Sequence, residues 1–160
     1  MSEMSKKTEI LRKYSELVNI GQIDQIKITY RVGGGPPGKL LYEEMMFLGN
    51  NDVRLIRKDE ITPDFTLEGS LKLDPAETHI LFSQIGRGFD NFDMSSTPIF
   101  LPDSVVSSFT IEFEDNKAAI YFLSNEVDRA VQNKAISPEI AEAHASVERI
   151  SQRIIEKSHG

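Results

Sequence analysis

A glycine- and proline-rich segment is the first candidate for a binding role in this sequence. It reads Gly33, Gly34, Gly35, Pro36, Pro37, Gly38, Lys39. Its first, third and last glycines satisfy the G-x-G-x-x-G pattern of dinucleotide sites, and the segment also satisfies most of a P-loop. A phosphate cradle needs consecutive backbone N–H groups, which the two prolines lack, and Leu40 stands where a serine or threonine would hold magnesium. We therefore predict no nucleotide site, and instead a loop whose backbone makes a special turn or contacts a protein or ligand.

A second candidate lies in the segment from Gly86 to Asp93, which contains Arg87, Phe89 and Phe92. The two glycines indicate an irregular segment that follows a helix. Exposed aromatic rings beside an arginine have the composition of a protein–protein hot spot. The alternative is that both rings fold back into the core beneath a long loop. We take Arg87, Phe89 and Phe92 as candidate contact residues.

The remaining polar residues do not assemble a complete catalytic or metal site in the sequence. His144 and Glu148 share one helical face, but two ligands do not make a metal site and no H-E-x-x-H occurs. Asp90 or Asp93 together with His79 could perform acid–base chemistry if the fold placed them in one pocket. The chain has no cysteine and no G-x-S-x-G serine motif. We predict no catalytic residues, no metal and no cofactor.

Charge and hydropathy limit the classes of partner. The chain has 160 residues and a net charge of −7. Residues 59–128 hold fourteen acids and three bases, whereas a nucleic-acid binder needs a basic surface to neutralise phosphates. No run approaches the roughly 20 apolar residues of a membrane span, and the N-terminus is polar. We therefore expect a protein partner, no nucleic acid, no membrane and a cytoplasmic location.

The pattern of apolar residues predicts the helices and strands on which these candidates lie. Residues 1–21 carry one apolar stripe of a helix that Gly21 should end. The alternating segment 25–32 predicts a strand. A further strand at 39–48, which also has good helix propensity, is joined by a turn at 49–52 to a strand that contains Val53, Leu55 and Ile56. The segment 65–73 alternates as a strand with Gly69 as a candidate bulge.

A capped helix and a hairpin follow. Asp74, Pro75 and Glu77 give a capping-box-like start to a helix over 75–86, which should fail at Gly86 or Gly88. Residues 89–103 indicate a loop, and 105–122 a hairpin with its turn at 114–117. The last helix, 137–157, starts at Ser137. Its apolar stripe fits packing on a sheet, with pairing to a second copy in a homodimer as the alternative.

This order predicts an α+β fold. We expect one domain over 1–160, with an antiparallel sheet of five to six strands over 25–135 and the helix 75–86 inserted in it. The N-terminal, middle and C-terminal helices should pack mainly on one face, because most strands are joined by turns and not by helical crossovers.

The predicted order of elements is the run Tyr30-Arg31-Val32-Gly33-Gly34-Gly35-Pro36-Pro37, a hairpin, a capped helix, a second hairpin and a terminal helix. This layout resembles that of uncharacterised small bacterial proteins with a strand, a Gly-Gly-Gly loop and adjacent prolines. The layout is also loosely similar to emfourin-type inhibitors of thermolysin-like metalloproteases. The similarity covers the order of elements over 25–155. The extra N-terminal helix and the proline pair depart from the inhibitor pattern. The second resemblance implies inhibition of a metalloprotease, and the first implies no activity.

We interpret the chain as a non-catalytic binding or protein-interaction module that makes contact through 33–39 and through Arg87, Phe89 and Phe92. A metalloprotease inhibitor is one alternative. A small-molecule-binding protein, or a hydrolase that uses its acidic residues, is the other.

Overall fold

A computed structural model describes residues 3–34, 41–59, 66–90, 105–123 and 137–159. In chain order the elements are α1 (Glu3–Asn19), β1 (Ile26–Gly34), β2 (Leu41–Leu48), β3 (Asp52–Asp59), β4 (Thr66–Lys72), α2 (Pro75–Asp90), β5 (Val105–Phe113), β6 (Asn116–Leu123) and α3 (Pro138–His159). The six strands form one sheet in the order β4-β3-β2-β1-β5-β6, and every neighbouring pair is antiparallel. The predicted α+β class and the expected strand number are confirmed.

Local signals in the sequence start and stop the helices as expected. Gly21 has φ +77° and ends α1, with its N–H donating to the Val18 carbonyl at 3.1 Å. The N–H of Asp74 donates to Glu77 Oε1 at 3.4 Å, which is one half of a capping box at the start of α2. Ser137 caps α3, since its Oγ accepts the Ile140 N–H at 3.3 Å.

Helices α1 and α3 contact the same face of the sheet. The ring of Tyr14 on α1 lies 6.4 Å from that of Phe113, and His144 on α3 lies 5.8 Å from Tyr30. Strand register places Tyr30 and Phe113 on one face, because Tyr30 pairs with Phe109 and side chains alternate along β5. We call the face that carries Tyr30, Phe109 and Phe113 the inner face. The buried core lies between this face and the helices.

The apolar stripe of α3 packs within the chain. The stripe is buried along its length, at Ile140, Ala143, Val147, Ile150 and Ile154. The core-packing interpretation of this helix is confirmed, so the stripe is not available to pair with a second copy. In the part of the chain that the structure describes, no helix is both long and apolar enough to cross a membrane.

Two predicted irregular positions belong to regular elements. Gly33 and Gly34 are the last residues of β1, paired with Tyr42 and Leu41 on one side and with Val106 and Val105 on the other. The strand therefore runs two residues beyond the predicted boundary at 32. Pairing on both sides holds the glycines extended, although Gly34 already has φ +113°. The predicted bulge at Gly69 is also wrong, since β3 and β4 keep an unbroken register through it.

The predicted end of α2 at Gly86 or Gly88 is wrong, because the helix continues to Asp90. Both glycines are buried points of close packing. A Cβ on Gly86 would lie 2.7 Å from the ring of Tyr14 on α1, and one on Gly88 would lie 2.4 Å from the side chain of Ile140 on α3. The glycines thus let α2 approach both other helices, and tertiary contact outweighs their low helix propensity.

Candidate functional site

The face of the sheet opposite to α1 and α3 carries exposed aromatic and charged side chains beside buried polar ones. We call it the outer face. The register places on it polar, apolar and aromatic residues of five strands, whose central members are Lys27, Thr29, Arg31, Gly33, Tyr42, Glu44, Met46, Ile56, Val106, Ser108, Thr110 and Tyr121. Thr29, Ser108 and Thr110 are buried, whereas Arg31, Tyr42 and Tyr121 are exposed.

Exposed aromatic area is concentrated on this face. Among the described residues, the exposed large apolar side chains are Ile20, Tyr42, Ile80 and Tyr121. The two tyrosines, 40% and 52% exposed, both lie on the outer face, whereas the isoleucines lie after α1 and on α2. Tyrosine supplies a large apolar body with a polar tip, which is why it is enriched at protein interfaces.

Arg31, Tyr42 and Glu44 form a hydrogen-bonded cluster on the outer face. Arg31 Nε donates to Glu44 Oε2 at 2.9 Å, and the hydroxyl of Tyr42 donates to the same oxygen. The Arg31 side chain is 46% exposed and that of Glu44 18%. Because a guanidinium has five N–H donors, the bond to Glu44 leaves Arg31 with capacity for a ligand.

The hydrogen bonds shift the pKa of all three groups. The hydrogen bond from Tyr42 is the largest influence that lowers the pKa of Glu44, with Arg31 acting in the same direction and burial opposing them. The same bond, with burial, raises the pKa of Tyr42 above 10.0. The pKa of Arg31 is raised by its bond to Glu44. At neutral pH the cluster therefore holds one cation, one anion and one neutral phenol.

Gly33 lies on the outer face near this cluster. It pairs with Tyr42 on β2 and with Val106 on β5, so these two side chains flank a position that has none. Neighbouring strands lie about 4.8 Å apart, which separates the flanking positions by roughly 10 Å. Arg31 is the next residue of β1 on the same face.

The predicted contact residues that the structure describes lie on different elements. Gly33 and Gly34 lie at the end of β1, and Arg87 is exposed in the last turn of α2. Phe89 is 4% exposed, so the expected exposed ring at 89 is wrong and the core-packing alternative holds there. Phe92 and the residues Gly35, Pro36, Pro37, Gly38 and Lys39 lie outside the described residues.

His79 and Asp90, one pair of the acid–base alternative, lie far apart along α2. His79 and Asp90 are both on α2, eleven residues apart, which is about 16 Å along a helix axis. Direct cooperation needs hydrogen-bond or one-water reach. Asp93 lies outside the described residues.

The His144–Glu148 pair has Nε2 and Oε1 3.5 Å apart, with His144 buried against the rings of Tyr30 and Phe122. Over the described ranges, no group of three or more candidate metal ligands is present. The two-residue pair thus gains no third ligand from the part of the fold that the structure describes.

Sequence reasoning missed Arg31, Tyr42 and Tyr121 as site residues. They come from three strands, and only the register brings them onto one face. One signal for Arg31 was available in the sequence. The segment 25–32 alternates apolar with polar residues, which predicts that Arg31 points away from the core. Its aromatic neighbours depend on β1 lying between β2 and β5, which a single sequence does not specify.

Searches with this chain match no protein-family model and no curated protein. The resemblance drawn from residues 30–37 to small bacterial proteins and to emfourin-type inhibitors therefore stays a prediction.

Proposed function

We propose that this chain is a non-catalytic protein-binding module whose contact surface is the outer face around Gly33. The observation that carries the proposal is the placement of Tyr42, Tyr121 and Arg31 on one face of the sheet. Tyrosine and arginine are the side chains that most often dominate binding energy at protein interfaces.

The contact surface extends from the cluster into the adjoining loop. Gly33 and Gly34 lead directly into residues 35–39, and Gly34 is paired with Leu41 at the start of β2. In this proposal the glycines permit close backbone approach, and Pro36 and Pro37 lower the entropy lost when the loop binds. Arg87, which is exposed on α2, and Phe92 stay predicted contacts from the sequence.

The partner that fits this surface is a protein segment with an acidic group and an aromatic or planar side chain. Arg31 offers N–H donors to a carboxylate, and the exposed ring of Tyr42 offers a flat apolar face to an aromatic or planar side chain. Tyr121 lies on β6, which pairs with β5 alone among the described strands. A partner strand could therefore extend the sheet there while its side chains reach the tyrosine.

Affinity capture from lysate of the source organism tests the proposal. The bait variant Tyr42→Ala/Tyr121→Ala removes two exposed aromatic side chains from the outer face. The matched control Ile20→Ala/Ile80→Ala removes two exposed apolar side chains from elsewhere. We expect one set of proteins to be retained by wild type and by the control and to be lost from the outer-face variant. Retention by all three baits would contradict the proposed surface.

A loop variant separates the contribution of the Gly/Pro segment. Because Gly34 and Leu41 are already paired, residues 35–40 can be replaced by Asn-Gly, which closes a two-residue hairpin without disturbing the ladder. Loss of the same captured proteins would extend the surface into the loop. Full retention would confine it to the sheet. Circular dichroism of each bait establishes that it is folded.

A further inference from the structure

Helices α2 and α3 enclose a groove on the opposite side of the molecule from the outer face. Its volume is about 240 Å³, and it is lined by Glu77, Ile80, Leu81 and Gln84 from α2 and by Ser146, Arg149, Ile150 and Arg153 from α3. Leu81 and Ile150 are buried and form its apolar base, while Ile80 is 56% exposed. The groove therefore offers apolar surface that one more group could cover.

The two arginines of the groove have different partners. Arg153 Nη1 lies 2.8 Å from Glu77 Oε2, which neutralises it within the groove. Arg149 Nη2 donates to Ser146 Oγ at 3.0 Å, and a serine hydroxyl carries no charge. Within the described ranges no carboxylate forms an ion pair with Arg149. The groove thus carries one uncompensated positive charge in a chain whose net charge is −7.

We propose that the groove between α2 and α3 binds a small monocarboxylate with an unbranched apolar chain, its carboxylate on Arg149 and its chain on Ile80, Leu81 and Ile150. Arginine binds a carboxylate with two parallel N–H bonds, which a neutral headgroup cannot accept equally well. The volume is below the roughly 300–1,000 Å³ typical of drug-sized ligands, so the occupant is small. A doubly charged anion fits less well, because Arg153 is already paired with Glu77 and Arg149 is the one groove cation outside an ion pair among the described residues.

This inference is independent of the proposed protein-binding function, because none of the groove residues lies on the sheet. Octanoate serves as the probe and octanol as its uncharged match with the same chain. Binding is followed by the NMR shifts of the Ile80, Leu81 and Ile150 methyl groups and by titration calorimetry. We expect octanoate to shift these methyls and octanol to bind at least about tenfold more weakly.

Two charge variants locate the carboxylate. Arg149→Gln removes the groove cation, and Arg12→Gln removes a cation on α1 whose partner is Glu16. We expect Arg149→Gln to weaken octanoate binding about tenfold and Arg12→Gln to leave it unchanged. The proposal is overturned by the absence of shifts at millimolar octanoate, by shifts that map elsewhere, or by equal affinity of the two variants.

Discussion

Ser151 Oγ on α3 donates a 2.8 Å hydrogen bond to Glu43 Oε1 on β2, joining two residues that lie 108 positions apart in the chain. The same oxygen accepts a 3.0 Å bond from Arg57 Nη2 on β3. Glu43 is a 7% exposed acid on the inner face, so both donors are needed to compensate its loss of water. The network fixes α3 over β2 and β3 and so helps to hold the sheet whose other face carries the proposed site.

Ser151→Ala should lower the free energy of unfolding by about 1 kcal/mol, because it leaves a buried carboxylate short of one donor. Ser146→Ala is the matched control on the same helix, since its hydroxyl meets an exposed Arg149. Both substitutions change helix propensity equally. The free energies of unfolding of the two variants, measured with urea, should differ by about 1 kcal/mol. Equal values would show that the Ser151 bond adds no net stability.

Gly86→Ala should destabilise the fold despite the better helix propensity of alanine. Its Cβ would lie 2.7 Å from Cε1 of Tyr14, whose ring is buried and whose hydroxyl donates to the Phe82 carbonyl. Overpacking of about 1–3 kcal/mol then exceeds a gain of about 1 kcal/mol from losing a helical glycine.

A double-mutant cycle identifies the cause. In a Tyr14→Leu background the steric conflict is relieved, and Gly86→Ala should become neutral or stabilising. If the alanine costs the same stability in both backgrounds, contact with Tyr14 is not the reason for the glycine.

His144 should make the fold less stable in mild acid. Burial lowers its pKa below the usual 6.5, and the nearby Glu148 carboxylate offsets this only in part. The unfolded chain therefore binds a proton more readily than the folded one. The stability that His144 contributes is fully present above about pH 6.5 and is lost as pH falls through the lowered pKa.

Urea unfolding of wild type and His144→Leu at pH 8 and pH 5 measures this contribution. The variant should lose less stability than wild type between the two pH values, because it lacks the buried imidazole. Both proteins retain His79 and His159, so the difference between them isolates His144. An identical loss in the two proteins would exclude a role of His144 in the acid response.

The Tyr42 phenol should report the state of the outer-face cluster. Its pKa is raised chiefly by the hydrogen bond to Glu44. Glu44→Ala removes that acceptor and should lower the pKa of Tyr42 toward 10. NMR titration of ring-labelled tyrosine follows the change directly. Glu112→Ala, which removes a carboxylate paired with Lys27, is the control and should leave the Tyr42 curve in place.

The local signals in the sequence were sufficient for the elements and insufficient for their glycines. Gly21, Asp74 and Ser137 act on backbone groups a few residues away, so their roles could be predicted from spacing. Gly86 and Gly88 face Tyr14 and Ile140 from other helices, and nothing within α2 itself distinguishes such packing glycines from a helix stop.

Only part of the candidate site could be predicted from the sequence, for a similar reason. The sequence predicted Gly33 as part of an unusual loop, but Gly33 belongs to a central strand because it pairs with both β2 and β5. That pairing sets Tyr42 beside the glycine and Arg31 beside Glu44. Phe89 was misplaced because an aromatic residue next to glycines looks the same in sequence whether it is exposed or buried.

The most direct test of the proposed contact surface is site-specific photo-crosslinking in lysate of the source organism. A photoreactive phenylalanine analogue replaces Tyr121 on the outer face or, as the control, His79 on the exposed side of α2. The proposed function predicts a discrete crosslinked protein from position 121 that is absent from position 79 and is lost on Arg31→Gln. Crosslinking from position 79 alone, equal products from both positions, or none from position 121 would contradict it.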